Sequence, residues 1–296
     1  MSNALSLLLA QTSAAASAAA SAAASQGAEG RILSLVAASL VVCISWVVLH
    51  VARRDSFSLR NTPGRPNRVN LLHVVIILLL WATTGSATLK ALAAMWHMDA
   101  AANQLPLVLA VPANLVGQVF TLASCLFVAG ITFRHGIRRG LGLTLRHWGV
   151  DLVRGALGVL VILPPVLAMN FGTRALLPDH WIHVHPLIEA SQTQHGLLLA
   201  MIMFSAIVMA PLSEELFFRG MMQSMLRQST HRPWAAIAIT GVLFGLIHYE
   251  MPQDVPALVL FGMALGYNYE RTGRLTGSIF LHACFNGAML WAQRGV

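Results

Sequence analysis

Glu214 and Glu215 are adjacent carboxylates, followed by Arg219, in one of the most apolar stretches of this chain. Met201-Ile202-Met203-Phe204 precedes them and Met221-Met222 follows. A charge at bilayer depth costs about 2.5–3.5 kcal/mol on insertion scales, so such groups persist there chiefly when paired or functional. Glu215 and Arg219 lie one helical turn apart and can pair on the helix surface. That leaves Glu214 as a carboxyl aimed elsewhere, because the local sequence supplies no second arginine. Two more polar pairs follow, Phe244 with His248 and His282 with Asn286, each at one-turn spacing on its helix. A lone histidine in a membrane helix is more often an interhelical hydrogen-bonding group than a catalyst. Two histidines, an asparagine and a free glutamate on the last four helices shift that balance toward one polar site. At about 1.5 Å per residue, Glu214 and His248 fall roughly 20 Å along their helices and His282 about 12 Å, so a shared midmembrane site is feasible.

The elements that must carry these groups are membrane spans. Hydrophobic residues make up 56% of the 296, and charged residues only 10%. Soluble domains carry about 25% charged residues. The expected fold class is therefore all-α, a polytopic transmembrane helix bundle of about eight spans. Apolar runs long enough to cross a bilayer are read near 31–52, 69–95, 107–133, 152–177, 197–226, 234–250, 255–270 and 276–293. The expected organisation is an Ala/Ser-rich tail over 1–30, N-terminal transmembrane helices over 31–177 and a catalytic helix core over 185–293. Pro164-Pro165 and Pro211 should bend or interrupt their helices, which membrane bundles tolerate when neighbours satisfy the freed carbonyls.

The formal net charge of +8 does not imply nucleic-acid binding, because its distribution follows the loops. Arg53, Arg54, Arg60, Arg65 and Arg68, then Arg134, Arg138, Arg139 and Arg146, then Arg227 with Arg232, and Arg271 with Arg274 occupy alternate loops. If eight helices alternate, all of these lie on one side, and only Arg31, Lys90, Arg174 and Arg294 lie toward the other. The positive-inside rule then places the arginine loops in the cytoplasm and both termini outside. A near-total preference for arginine over lysine suits a GC-rich bacterial genome, hence an inner (cytoplasmic) membrane location. Cys43, Cys125 and Cys284 lie in apolar segments at unrelated spacings, so neither a disulfide framework nor a CxxC zinc pattern follows. The Ser-Ala-Ala-Ala repeats of Ser13–Ser25 lack the basic flank of a signal peptide and read as a dispensable tail.

The order Glu-Glu-x-x-x-Arg, Phe-x-x-x-His, His-x-x-x-Asn resembles the CPBP family of intramembrane endopeptidases. That family includes the CAAX prenyl proteases and the bacterial bacteriocin-processing or immunity proteins of the Abi type. Ala210-Pro211, Phe218-Arg219-Gly220 and His185-Pro186-Leu187 add to the resemblance, which covers about residues 185–293. It implies that Glu214 is the general base and that His248 orients or polarises the water. It likewise implies that His282 and Asn286 stabilise the oxyanion. Peptide hydrolysis in a membrane independently needs a confined water, a base held ionised by nearby donors, and hydrogen bonds for a tetrahedral oxyanion. Glu215 and Arg219 are expected to hold the reacting carboxylate in place, and Phe244 to pack.

Other plans fit less well. There is no His-Glu-x-x-His pair for a zinc protease helix, Gly85-Ser86 lacks the serine-protease arrangement of rhomboids, and no Gly-x-Gly-Asp of presenilin-type proteases occurs. Zinc on Glu214, His248 and His282 would leave an open fourth position for water. Asn286 is a poor zinc ligand, and Glu214 cannot easily be both ligand and base, so metal-free hydrolysis is favoured and no cofactor is expected. The segment Asp179 to His185 could bind a divalent metal outside, yet an interfacial loop anchored by Trp181 is the simpler reading. A non-catalytic immunity or scaffold protein would not need the full motif set. A proton-coupled transporter would use the same groups as a relay, but the motif segment has no repeat in the first half of the chain. The expected partners are the lipid bilayer and a membrane-associated peptide or protein tail.

Overall fold

The computed structural model describes residue 30 and residues 33–49, 58, 59, 62, 64–98, 106–183 and 186–293. The expectations for the 1–30 tail other than Gly30, and for Arg31, Arg53, Arg54, Arg60, His185 and Arg294, lie outside the described residues. Among the described residues the chain is all-helical, with one isolated β-bridge between Asn67 and Phe133. Helix α1 covers Leu33–Leu49, α2 Leu71–Met95, α3 Leu107–Thr132 and α4 Trp148–Leu176. A short α5, Pro186–Thr193, leads into the long α6, Gly196–Thr230. Three more follow: α7 Pro233–Leu246, α8 Val255–Thr272 and α9 Leu275–Gln293. Each expected span thus contains a helix, and α2, α3, α4 and α6 are long and apolar enough to cross a membrane. The chain is a multi-pass membrane protein.

Pro164 and Pro165 sit inside a continuous α4 and do not interrupt it. The fourth helix starts at Trp148, with Asp151 in its first turn buried against Arg274 and Thr276, so four more residues join it than the apolar run suggested. Pro211, by contrast, marks a real change of winding. Within α6, Ser205–Met209 and Leu216–Gln223 are π-helical, and the α-helical piece Ala210–Glu215 lies between them. π-turns inside α-helices cluster at functional sites, and this pair flanks the two glutamates.

One continuous apolar core joins α2, α3 and α4 to α6–α9, through residues such as Ile77, Cys125, Leu163, Phe217, Phe244 and Phe261. Small residues set the closest approaches. A Cβ on Gly262 would stand 3.1 Å from the Cα of Gly241, so α7 and α8 touch backbone to backbone there. A Cβ on Gly155 would meet the backbone nitrogen of Leu281 at 2.8 Å, which brings α4 against α9 beside His282. The outer faces remain apolar: Leu71, Leu72 and Leu79 of α2 are all more than half exposed, as suits contact with hydrocarbon.

The described arginine loops gather at one end of the bundle. Arg65 contacts Glu270 and the Tyr269 carbonyl, Arg68 N–H donates to Thr132, and the Asn67 N–H donates to Gln228. Tyr269 donates its hydroxyl to the Leu141 carbonyl at 3.1 Å, and the Leu275 N–H reaches Gly142. At the other end Gln253 donates to the His183 carbonyl, and Asn170 and Arg174 of α4 meet Asp254. The alternation read from the sequence therefore agrees with which described loops touch.

Candidate active site

Glu215 is fully buried, and its Oε1 accepts from Arg219 Nη1 at 2.8 Å. The expected one-turn ion pair is present. Arg219 is itself fully buried, donates from Nη2 to the Gly262 carbonyl at 2.8 Å, and lies 4.7 Å over the Phe244 ring. The close packing around Gly262 is what brings that carbonyl within reach. A turn further along, Gln223 repeats the contact by donating to Gly266 at 3.0 Å. Glu215, Arg219 and Gln223 thus form one polar edge that fastens α6 to α8 and, through His282, to α9.

His282 supplies a contact that sequence reading missed. Its Nδ1 is 2.9 Å from Glu215 Oε1, so the acceptor there requires Nδ1–H to donate. Its Nε2 then faces the other glutamate, 3.9 Å from Glu214 Oε2. Glu215 is therefore not occupied by Arg219 alone; it also fixes the ring that stands beside Glu214. Nothing in the spacing of one helix could show this, because residues 215 and 282 meet only after α9 packs against α6.

The second histidine lies off its helix. The sixth span was read to 250 with His248 on it, but α7 stops at Leu246 and His248 is in the turn beyond. Its Nδ1 is 2.9 Å from the Phe244 carbonyl. The last carbonyls of a helix have no partner within it, and the His248 side chain covers this one. A carbonyl can only accept, so Nδ1 carries the proton, and in the neutral ring Nε2 is left as an acceptor. Phe244 packs as expected. It is buried between Phe218, Phe261 and both histidine rings, with centroids 5.3–6.3 Å away.

Asn286 is held by the irregular winding of α6. The Ala210 N–H bonds back to Ser205, five residues earlier. Continuing that register would pair residue 211 with the Ala206 carbonyl, but Pro211 has no N–H. Asn286 Nδ2 donates to that carbonyl at 2.8 Å. One of its two N–H bonds is thereby used for structure. The start of the π-turn is tied to α3 as well, since Ser205 donates to Gln118 at 3.2 Å and accepts from Asn114 at 3.3 Å.

Glu214, His248, His282 and Asn286 all line one cavity of about 450 Å³. Its depth is bounded by Ala206, Ala210 and Phe261, and its far end by Asn170, Arg174, His183 and Asp254. Glu214 retains 13% exposure, whereas Glu215 has none. Among the described residues no three His, Cys, Asp or Glu side chains are arranged to hold a metal. Glu215 holds His282 Nδ1 and the Phe244 carbonyl holds His248 Nδ1, which leaves Nε2 of each ring as the nitrogen that a metal would take. The Asp179–Trp181 turn is an exposed 3-10 segment with Trp181 half exposed, and His183 reaches the cavity rim.

Fold and site together define a polytopic helical membrane protein with a glutamate–histidine–asparagine cluster in an interior cavity. Residues 196–288 match the family model described as type II CAAX prenyl endopeptidase Rce1-like. This is the resemblance that the three motifs carry, and the matched range contains all four cavity residues. An uncharacterized protein of Bacillus subtilis (strain 168), YyaK, is 27% identical over 113 residues. That similarity covers 35% of this chain and spans only 38% of the length of YyaK. No solved structure matches.

Proposed function

We propose that this chain is an intramembrane endopeptidase that hydrolyses a membrane-associated peptide or protein tail with a water activated by Glu214. The observation that carries the reading is the convergence of Glu214, His248, His282 and Asn286, from α6, from the turn after α7 and from α9, on one cavity. The Glu214 carboxylate takes a proton from water as the water oxygen bonds to the peptide carbonyl carbon, and the carbonyl electron pair moves to oxygen. His248 Nε2, left free by the bond at Nδ1, accepts from the same water and orients it. The second N–H of Asn286, and His282 Nε2 when the ring carries both protons, donate to the oxyanion. The proton held by Glu214 then passes to the leaving nitrogen as the C–N bond breaks. Glu215 and Arg219 touch no reacting atom in this scheme; they fix His282 and, through it, the geometry around Glu214.

The protein is placed in a bacterial cytoplasmic membrane with its arginine loops inside. The family description concerns prenylated tails, but bacteria generally lack that modification, so the substrate is taken to be a peptide without it. The test compares the membrane proteomes of cells carrying wild type and Glu214→Gln. Uncleaved precursor should accumulate in the variant at normal protein level. Identical processing in both would remove the base from the scheme. A metal-free reaction also requires purified protein to keep its activity after exhaustive chelation. Loss on chelation with return on adding zinc would replace it with metal-dependent hydrolysis.

A further inference from the structure

The two ends of the bundle differ in a way that bears on where a substrate comes from. At the arginine end the polar groups close on one another: Glu270 with Arg65, Arg227 and Gln223, Asp151 with Arg274 and Thr276, and Tyr269 with the Leu141 carbonyl. None of these residues lines the cavity. The cavity instead runs from Glu214 and His282 to Asn170, Arg174, His183 and Asp254. Those four belong to the late part of α4, the loop after it and the start of α8, all at the end away from the arginine loops. Asn170, Arg174 and Asp254 bond to one another as well, but Arg174 and Asp254 keep 41% and 22% side-chain exposure and Tyr249, next to His248, keeps 71%, so this rim is reached from outside.

The charge bias that sets orientation is carried by the closed end. Among the described residues Arg65, Arg68, Arg134, Arg138, Arg139, Arg146, Arg227, Arg232, Arg271 and Arg274 sit there or in its loops, against Arg174 and Lys90 toward the rim. Short loops rich in arginine stay in the cytoplasm. We infer that the cavity opens to the extracytoplasmic side and takes its peptide from there: a segment of an exported protein, or the outward-facing tail of a membrane protein. The rim of Asn170, Arg174 and Asp254 offers polar contacts to a backbone, and the walls formed by Val166, Leu258, Phe285 and Met289 receive apolar side chains. A cytoplasmic tail would meet the closed end. This conclusion rests on the peptidase reading for its substrate but not for its direction, and the two can be tested apart.

Direction is read by cysteine labelling in a chain with Cys43, Cys125 and Cys284 replaced by alanine. Tyr249→Cys reports the rim. Leu145→Cys, at a position 69% exposed in the loop between α3 and α4, reports the arginine end. With a membrane-impermeant maleimide, Tyr249→Cys should label in intact cells and not in sealed inverted vesicles, and Leu145→Cys should do the opposite. The reverse pattern, or labelling of Tyr249→Cys from both sides or from neither, overturns the outward-facing mouth. Substrate is read by N-terminal proteomics of wild type against Glu214→Gln: cuts that depend on Glu214 should map to extracytoplasmic segments. Cuts mapping to cytoplasmic segments overturn the substrate class. An absence of any Glu214-dependent cut brings down the peptidase reading and its substrate while the labelling still decides the direction.

Discussion

Glu270 and Glu214 are both glutamates set among basic or amide groups in apolar helices, yet their surroundings differ in kind. Glu270 is 1% exposed and has Arg65 at 3.4 Å, Gln223 at 3.3 Å and Arg227 at 3.7 Å. Arg65 also lies 3.6 Å over the Tyr269 ring, which seals that end further. Among the described residues Glu214 has one basic side chain within 4 Å, His282 with Nε2 at 3.9 Å, and it faces a cavity. A carboxylate surrounded on every side holds helices together, whereas one left partly open can exchange a proton with something that enters. The comparison sorts the buried polar groups of this protein by what remains unpaired rather than by residue type.

The comparison is tested most severely at Glu214. Glu214→Gln keeps the size and shape of a side chain whose nearest basic group is 3.9 Å away, so abundance and thermal stability in detergent should stay near wild type. Activity should fall by about 10²–10⁴, the usual contribution of a positioned general base, and would pass below detection in most assays. Arg219→Ala should behave in the opposite way. It strips a fully buried Glu215 of its arginine and leaves the Gly262 carbonyl without that donor. Breaking a buried pair from one side costs about 3–5 kcal/mol, so membrane-extracted protein should drop several-fold before activity is considered. Normal abundance with lost activity would move Arg219 from support to chemistry.

The glutamate–arginine pair was legible in the sequence because both residues lie on one helix, where spacing alone fixes proximity. The four cavity residues were legible as types, His248 at one-turn spacing from Phe244 and Asn286 from His282, and all four positions fall within the expected apolar runs. What could not be read was any relation between helices. The His282–Glu215 bond depends on how α9 meets α6, and the close approach of α4 to α9 at Gly155 likewise joins residues that lie far apart in sequence. The position of His248 was misread because an apolar run does not announce where a helix ends. Leu246-Ile247-His248 continues the hydrophobicity of α7 after its hydrogen bonding has stopped. The π-turns of α6 were hidden for a related reason: Pro211 signals a disturbed helix, but α-kink and π-turn answer the same missing N–H.

Asn286 lies between the two kinds of polar group, since one of its N–H bonds serves the Ala206 carbonyl. Asn286→Ala should therefore give a double signature. Loss of an oxyanion donor should lower the rate per folded molecule by about 10²–10³. The unpaired carbonyl should also cost about 1–3 kcal/mol of stability, read as a lower melting temperature in detergent. A pure stability loss with unchanged rate would confine Asn286 to the π-turn, and His282 alone would remain as the side-chain oxyanion donor.

The smallest effect is expected at the closed end, where it serves as the control for all the others. Glu270→Gln keeps an oxygen to accept from Gln223 and Arg65 but removes the charge that two arginines share. The contacts are 3.3 Å or longer and Arg227 is partly exposed, so each bond is weak and the loss is spread among them. A cost of about 1–3 kcal/mol is expected, in the range for a buried hydrogen-bonding group left short of its partner. It should appear as a modest drop in melting temperature. Cleavage per folded molecule should not change, because Glu270 does not line the cavity and its nearest link to the site runs through Gln223 and the α6–α8 edge. A rate loss here as large as that of Asn286→Ala, at unchanged stability, would mean that the closed end takes part in the reaction.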